Sequence, residues 1–334
     1  MIGIITKTAP ELFDIELGDG TKFRCSETFV RRYLRNHLKW SLRTGTRAAQ
    51  KLPPNYEELL KEAFLREALF IRNYNIPAAL RVNTDQTQSV YAPSTKMTWN
   101  QSGVKQVDIS GHDEKRAFTL VPSISASGEV LPMQAIYKGG TAQSCPNAQT
   151  PAFKEAKRLG FLLEPSKMDT YWSNIDTMKN LVSKIIAPYF ERTKKQLDLS
   201  DAQQKSQYSM WKIDCWSVHR SEEFLTWMKE NHPQIIILFV PGSCTGVFQP
   251  LDVGVQRVMK LSIKRSAHRD LVAEVVTLLD AVPSNDKERP LKLDQSVPTL
   301  RNRSLGWIVN AYHDINNPDL IKKVCVYSYL SNNF

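Results

Sequence analysis

The sequence has no apolar run that approaches the roughly 20 residues needed to cross a bilayer as a helix. Its opening, MIGIITKTAPELFD, lacks a charged start followed by a long apolar stretch, so a non-secreted, soluble chain is expected. Cysteine is scarce: Cys25, Cys145, Cys215, Cys244 and Cys325 are odd in number and contain no CxxC pair. This argues against a disulfide framework or a zinc knuckle and fits reduced thiols in the cytosol or nucleus. No internal repeat is visible. Acid is missing from one stretch. Between Thr28 and Tyr56 there are seven basic residues (Arg31, Arg32, Arg35, Lys39, Arg43, Arg47 and Lys51) and no aspartate or glutamate.

What is present is enough to build a sizeable core. The chain has 334 residues, 42% of them hydrophobic, which suits one large domain with extensions or two ordinary ones. The net charge is +10 at pH 7, and the excess concentrates in the acid-free stretch. Such a cluster suits phosphate neutralisation on nucleic acid. It equally suits a solvated basic helix face, and composition does not separate the two.

Periodicity organises the chain into helix, then sheet, then helix. Up to about residue 78 the pattern is helical, with Phe29, Tyr33, Leu34 and Leu38 in one stripe and Leu59, Leu60, Ala63, Phe64, Ala68, Leu69 and Ile71 in another. Pro53-Pro54 separates them. A short strand is expected over 78–84, then a hairpin over 117–137 turning at Ser127-Gly128. Residues 139–174 read as an insertion without a clear period. A helix follows from Asn174, which Pro188 should kink or end. SMWKIDC (209–215) reads as a strand, and Ser221 as the cap of the next helix. IIILFV (235–240) reads as a strand buried on both faces. A helix is expected from about Leu251 to Ala267. A flexible linker should occupy 283–298, ahead of a small helical tail. The domain layout is thus 1–78 (helical N-terminal region), 79–268 (α/β domain) and 269–334 (helical tail). The order of elements predicts a mixed sheet covered by helices on both faces.

Three acids fall where that skeleton would bring them together. Asp85 ends the first strand, Asp214 ends the strand before Ser221, and Asp252 opens a helix just after the IIILFV strand. Hard divalent cations need such an oxygen cluster, and a pair of them can drive phosphoryl transfer. Each acid alone has a plain structural reading: a turn ligand for Asp85, a cap for Asp214, and a favourable charge in a helix first turn for Asp252.

These segments resemble the pogo/Tigger/jerky group of DDE-type transposases within the mariner superfamily. The stretch PGSCTGVFQPLDVGVQRVMK (241–260) is similar to that group's QPLD signature, IDCWSVH (213–219) to its second acidic block, and VNTDQT (82–87) to its first. The resemblance covers about residues 80–265. It implies an RNase H-like fold with a five-stranded mixed sheet, and Asp85, Asp214 and Asp252 as catalytic and metal-binding acids. It further implies two Mg2+ or Mn2+ ions, DNA cleavage and strand joining, pairing of two copies on transposon ends, and a nuclear site of action. No membrane and no small-molecule substrate are expected. His219 and Gln249 map as auxiliary residues, although His219 can equally just start a helix.

The pattern departs from the family at Gln86, usually glutamate, and at Cys215, usually asparagine. Upstream, residues 26–51 look like the last helix of a helix-turn-helix domain that is not complete. Arg31, Arg32, Arg35, Lys39, Arg43 and Arg47 would contact DNA there. Lys260, Lys264 and Arg265 would do so beside the acids, unless they are a solvated face. A rival reading is a transposase-derived protein that binds DNA or proteins without catalysis. An RNase H-like exonuclease fits the fold but not the QPLD block. Asp108, His112, Asp113 and Glu114 are expected in a solvated loop. Trp172, Trp211, Trp216 and Trp227 are expected in packing roles.

Overall fold

The computed structural model describes residues 5–6, 9–40, 52–91, 115–197, 199–281 and 292–330. Arg43, Arg47, Lys51, the polar loop around His112 and most of the expected linker lie outside these. The chain divides into two compact units, Met1–Gln50 and Lys51–Phe334.

The first unit is small and open. Glu16 and Lys22 form an isolated antiparallel bridge. Helix α1 (Glu27–Asn36) starts at Ser26, whose hydroxyl accepts from the Phe29 amide. Phe23 stacks edge-on against Phe29 at 4.9 Å, and Tyr33 stacks on His37 at the same distance. None of the residues of α1 is buried, and Arg31, Arg32, Arg35 and the following Lys39 are exposed.

The second unit is built on eight strands: β1 (Arg81–Thr84), β2 (Thr87–Val90), β3 (Ala117–Val121), β4 (Ser123–Ser125), β5 (Gln134–Tyr137), β6 (Leu162–Pro165), β7 (Ser209–Ile213) and β8 (Ile235–Phe239). They hydrogen-bond as two four-stranded sheets, β4-β1-β7-β8 and β2-β3-β5-β6. The pairs Thr84↔Ser123 and Thr87↔Leu120 keep one antiparallel register across the junction, with no residue inserted on either side. The ladder breaks where Asp85 faces Pro122, because proline has no N–H to return the bond that the Asp85 amide gives to the Pro122 carbonyl at 3.3 Å. Bridges from Ile124 to Val130, and from the Leu131 amide to Ser123, extend β5 backwards beside β4. The hairpin turns at Gly128, whose φ of +105° suits glycine. Across the break, the five expected strands run as three antiparallel members followed by β7 and β8, parallel to β1. This is the expected mixed α/β architecture.

The sequence reading missed several features. The insertion carries a short helix, α3 (Phe153–Arg158), and β6, a sixth strand parallel to β5. Strand β8 is an edge strand, and only its Leu238 is buried. Its apolar run is half-covered rather than sandwiched. The helix after Asn174 neither ends nor breaks at Pro188. It runs as α4 (Ile175–Leu181), a π turn over Val182–Ile186, and α5 (Ala187–Gln196). The π turn absorbs the bond that Pro188 cannot donate. Trp211 is core and Trp216 and Trp227 are partly buried, but Trp172 is 50% exposed and packs no core.

The remaining helices are α6 (Asp201–Ser206), α7 (Glu222–Asn231), α8 (Thr245–Phe248), α9 (Gln256–Asp280), α10 (Val297–Ile315) and α11 (Pro318–Leu330). Helix α7 starts at Ser221, as expected. Helices α10 and α11 are not a peripheral tail. Trp307, Ile308, Tyr312, Ile321 and Val324 share one apolar cluster with Phe118, Tyr137, Leu251 and Val255. The Tyr312 hydroxyl donates to the Val130 carbonyl. A second cluster joins β1, β7 and β8 to α4, α5 and α7 on the opposite side, through Val82, Trp211, Met178, Leu181 and Phe224.

Helix α2 (Tyr56–Asn73), which precedes β1, belongs to this second unit. Its Leu60 and Ala63 pack with Val240 and Phe248. Its Glu67 meets Lys212 of β7 at 2.6 Å, both side chains about 95% buried, with the ammonium 4.5 Å from the Phe248 ring centre. Breaking such a pair strands a buried charge, whereas replacing both partners removes the desolvation cost. Glu67→Leu is therefore expected to cost about 3–5 kcal/mol in chemical denaturation. The Glu67→Leu/Lys212→Met double variant should regain most of that loss. An additive loss in the double variant would contradict the pairing.

Candidate active site

Each acid is placed by a different local device. Asp85 sits at the Pro122 break and is buried. The threonine before it, Thr84, is fixed by the Ser123 hydroxyl at 2.7 Å and by the indole N–H of Trp211 at 2.8 Å. Asp214 leaves the end of β7 and keeps a third of its side chain exposed. Asp252 lies in a π turn, Leu251–Val255, that leads into α9, and its amide bonds the Gln249 carbonyl. That turn sits hard against α11. A Cβ on Gly254 would stand 2.4 Å from Val324 Cγ1, so glycine is what allows the approach. The C-terminal helices thus take part in placing Asp252.

The three carboxylates lie within electrostatic reach of one another. Burial, the Asp252 charge and, more weakly, the Asp214 charge push the Asp85 carboxyl well above the usual range. Burial also raises Asp252, against hydrogen bonds from Asp85 and Thr245 and the charge of Lys260. The Asp252 charge thus adds to burial in holding Asp85 back from ionising. Two glutamines grip Asp85: Gln256 donates to Oδ2, and Gln249 reaches the same carboxylate and, at 3.5 Å, the Thr84 carbonyl. Gln249 Oε1 is buried with no protein partner.

His219 is 2% exposed and holds Asp214, with Nδ1 2.8 Å from Oδ1. Trp211, Trp216 and Phe224 surround the imidazole, and its Nε2 has no hydrogen-bond partner. The ring therefore orients one oxygen of Asp214 and is walled off from solvent.

Among the described residues, no three His, Cys, Asp or Glu side chains are close enough to form a ready-made metal cage. The donor chemistry nevertheless fits a hard divalent cation: carboxyl groups, two of them raised by burial and Asp85 also by the Asp252 charge, with an unpartnered amide oxygen alongside. Lys260, Lys264 and Arg265 are exposed along α9, and Lys260 is the one whose charge bears on Asp252. Arg31, Arg32, Arg35 and Lys39 belong to the separate N-terminal unit. Sequence reasoning missed Gln256, Thr245, Gly254 and Asn83, although all four stand inside or beside the quoted motifs.

Residues 114–323 match the model of the DDE superfamily endonuclease family. The chain belongs to this family. Asp214 and Asp252 lie inside the matched segment, which also includes α10 and the start of α11. Asp85 lies before it. No curated protein matches the chain. Among solved structures, a pre-cleavage Mos1 transpososome aligns over 91% of this chain and 71% of its own, with 10% identity and a TM-score of 0.42. A Mos1 mariner paired end complex with Mn gives a TM-score of 0.44 at 10% identity over the same shares. The catalytic domain of Mos1 mariner transposase aligns over 87% of this chain and 98% of its own, with 10% identity and a TM-score of 0.34.

In this DDE endonuclease the carboxylate cluster should weaken the metal-free fold. An acid whose folded pKa is raised stabilises the fold below its unfolded value of about 3.9. That contribution is lost as pH rises through the raised folded value. Asp85→Asn is accordingly expected to gain about 0.5–2 kcal/mol at pH 7.5 in chelator, the usual scale for relieving a functional site. The gain should shrink near pH 4, where Asp85 is already protonated. Thermal melts at the two pH values measure it, and an Asn variant less stable at pH 7.5 would refute the electrostatic account.

Proposed function

We propose that the chain is a metal-dependent DNA endonuclease and strand transferase of the transposase type, with Asp85, Asp214 and Asp252 as its metal-binding acids. The observation that carries the reading is that Asp85, Asp214 and Asp252, from the ends of β1 and β7 and the turn before α9, lie within electrostatic reach of one another, with Asp85 and Asp252 raised. When bound, Mg2+ or Mn2+ ions supply the charge that activates an attacking oxygen and stabilises the leaving one. The protein side of the reaction is then binding and orientation. His219 fixes the direction of Asp214. Gln249 and Gln256 fix Asp85 without neutralising it. Lys260, Lys264 and Arg265 contact phosphates beside the cluster, and the exposed basic residues of α1 also contact DNA. No side chain is required as a nucleophile, since water attacks first and a DNA 3′-hydroxyl second. Action in the nucleus as a pair of copies on transposon ends accords with this reading, and the Mos1 neighbours include paired-end complexes with transposon DNA.

A DNA-binding role without catalysis is favoured by one observation, the exposed basic residues Arg32 and Arg35 of α1, beside an Arg31 that pairs with Glu27. Calorimetric titration of Mn2+ into the full chain with a short duplex, for wild type and Asp214→Asn, separates the readings. We expect wild-type binding weakened by about 10-fold or more in the variant, together with nicking of duplex ends by the wild type alone. Equal binding by both proteins, with salt-sensitive DNA affinity unaffected by metal, would leave only the binding role.

A further inference from the structure

The side chain of Asn83 touches the chain next to two of the three acids and belongs to the strand that carries the third. It is 5% exposed on β1, two residues before Asp85. Its Nδ2 donates to the carbonyl of Lys212 at 3.1 Å, two residues before Asp214. Its Oδ1 accepts from the amide of Leu251 at 3.1 Å, one residue before Asp252. We propose that Asn83 is a positioning residue: one planar carboxamide sets the spacing of Asp85, Asp214 and Asp252. This rests on the reading of these acids as a cation site.

The chemistry of the position favours an amide. Leu251 opens a helical turn, where the first N–H groups have no acceptor within the helix, so its amide needs a partner from elsewhere. The Lys212 carbonyl accepts from the other end of the side chain. Only a group that donates at one end and accepts at the other satisfies both, and those two demands also fix which end of the carboxamide is oxygen. Leucine has the same branching and makes neither bond. Serine is too short to span both. A cation here could donate but not accept, and it would neutralise the charge that draws a divalent ion. Asn83 thus ties a strand end and a helix start to β1 while leaving the cluster's charge intact.

A merely structural hydrogen bond would give a different result from a positioning one. The test is Mn2+ affinity by calorimetry on the full chain, alongside melting temperature in chelator, for wild type, Asn83→Leu, Asn83→Ser and Tyr312→Phe. The last removes a buried hydrogen bond to Val130 away from the acids. We expect both Asn83 variants to lose about 10–100-fold in Mn2+ affinity, the scale of residues that orient metal ligands. Tyr312→Phe should lose melting temperature but keep its affinity within about 2-fold. Asn83→Ser serves if Asn83→Leu fails to fold. In wild type, the Leu251 amide should be protected from hydrogen exchange, and Asn83→Ser should abolish that protection. Wild-type Mn2+ affinity in a folded Asn83 variant, or an unprotected Leu251 amide, overturns the proposal. Asp214→Asn measured in parallel identifies which idea has failed. If it binds Mn2+ like wild type, the cation site itself falls and this inference falls with it. If it binds weakly while the Asn83 variants bind normally, only the role of Asn83 falls.

Discussion

Like charges held together in a partly buried place are the constraint on which the second unit depends. Asp85 and Asp252 both lose solvation and the Asp252 charge weighs on Asp85, so their approach must be maintained by contacts elsewhere. Those contacts are extensive. Trp211 reaches across from β7 to Thr84, the Tyr56–Asn73 helix is tied to β7 through Glu67, and α11 presses on Gly254 beside Asp252. Each anchor fixes the backbone within two residues of an acid and leaves the carboxylate itself free of a permanent cation. This division of labour suits a site whose positive charge arrives from solution.

The break in the β1–β4 ladder follows the same logic. A continuous strand would spend the backbone at position 85 on regular pairing. Opposite Pro122 the ladder lacks a donor, so the chain is relieved of pairing at the residue whose side chain matters. The register survives the interruption, which keeps Thr84 and Thr87 in place on either side. The sheet gains a local irregularity without losing its alignment.

Much of this was legible in the sequence, and the illegible part has identifiable causes. The ends of β1 and β7 and the Ser221 cap were readable because strand alternation and capping are local signals. The three acids stood out only in combination, because each closes or opens an expected element and each falls in a block that resembles the family. Strand β8 read as buried on both faces because an apolar run does not record how completely each face is covered. Helices α10 and α11 read as a tail because amphipathic spacing does not say what the apolar face meets. Here it meets Phe118 and Tyr137, residues far away in the sequence. The extension of the helix past Pro188 depends on a π turn that has no sequence signature of its own. Asn83 and Gln256 escaped notice because a polar residue in a motif has no visible partner until the chain is folded.

Neutral amides surround the acids for a physical reason. A lysine or arginine at position 83, 249 or 256 would relieve the repulsion more fully and make the metal-free protein more stable. It would also compete with any divalent ion for the same charge and lower the affinity for it. The buried cation nearest in sequence, Lys212, is paired with Glu67, and Lys260 approaches Asp252 from an exposed helix face where water screens it. Carboxamides orient a carboxylate by hydrogen bonds worth about 1 kcal/mol each while leaving its charge unspent. The arrangement gives up stability in the empty state and keeps an attraction that only a small, hard, doubly charged ion can fully satisfy.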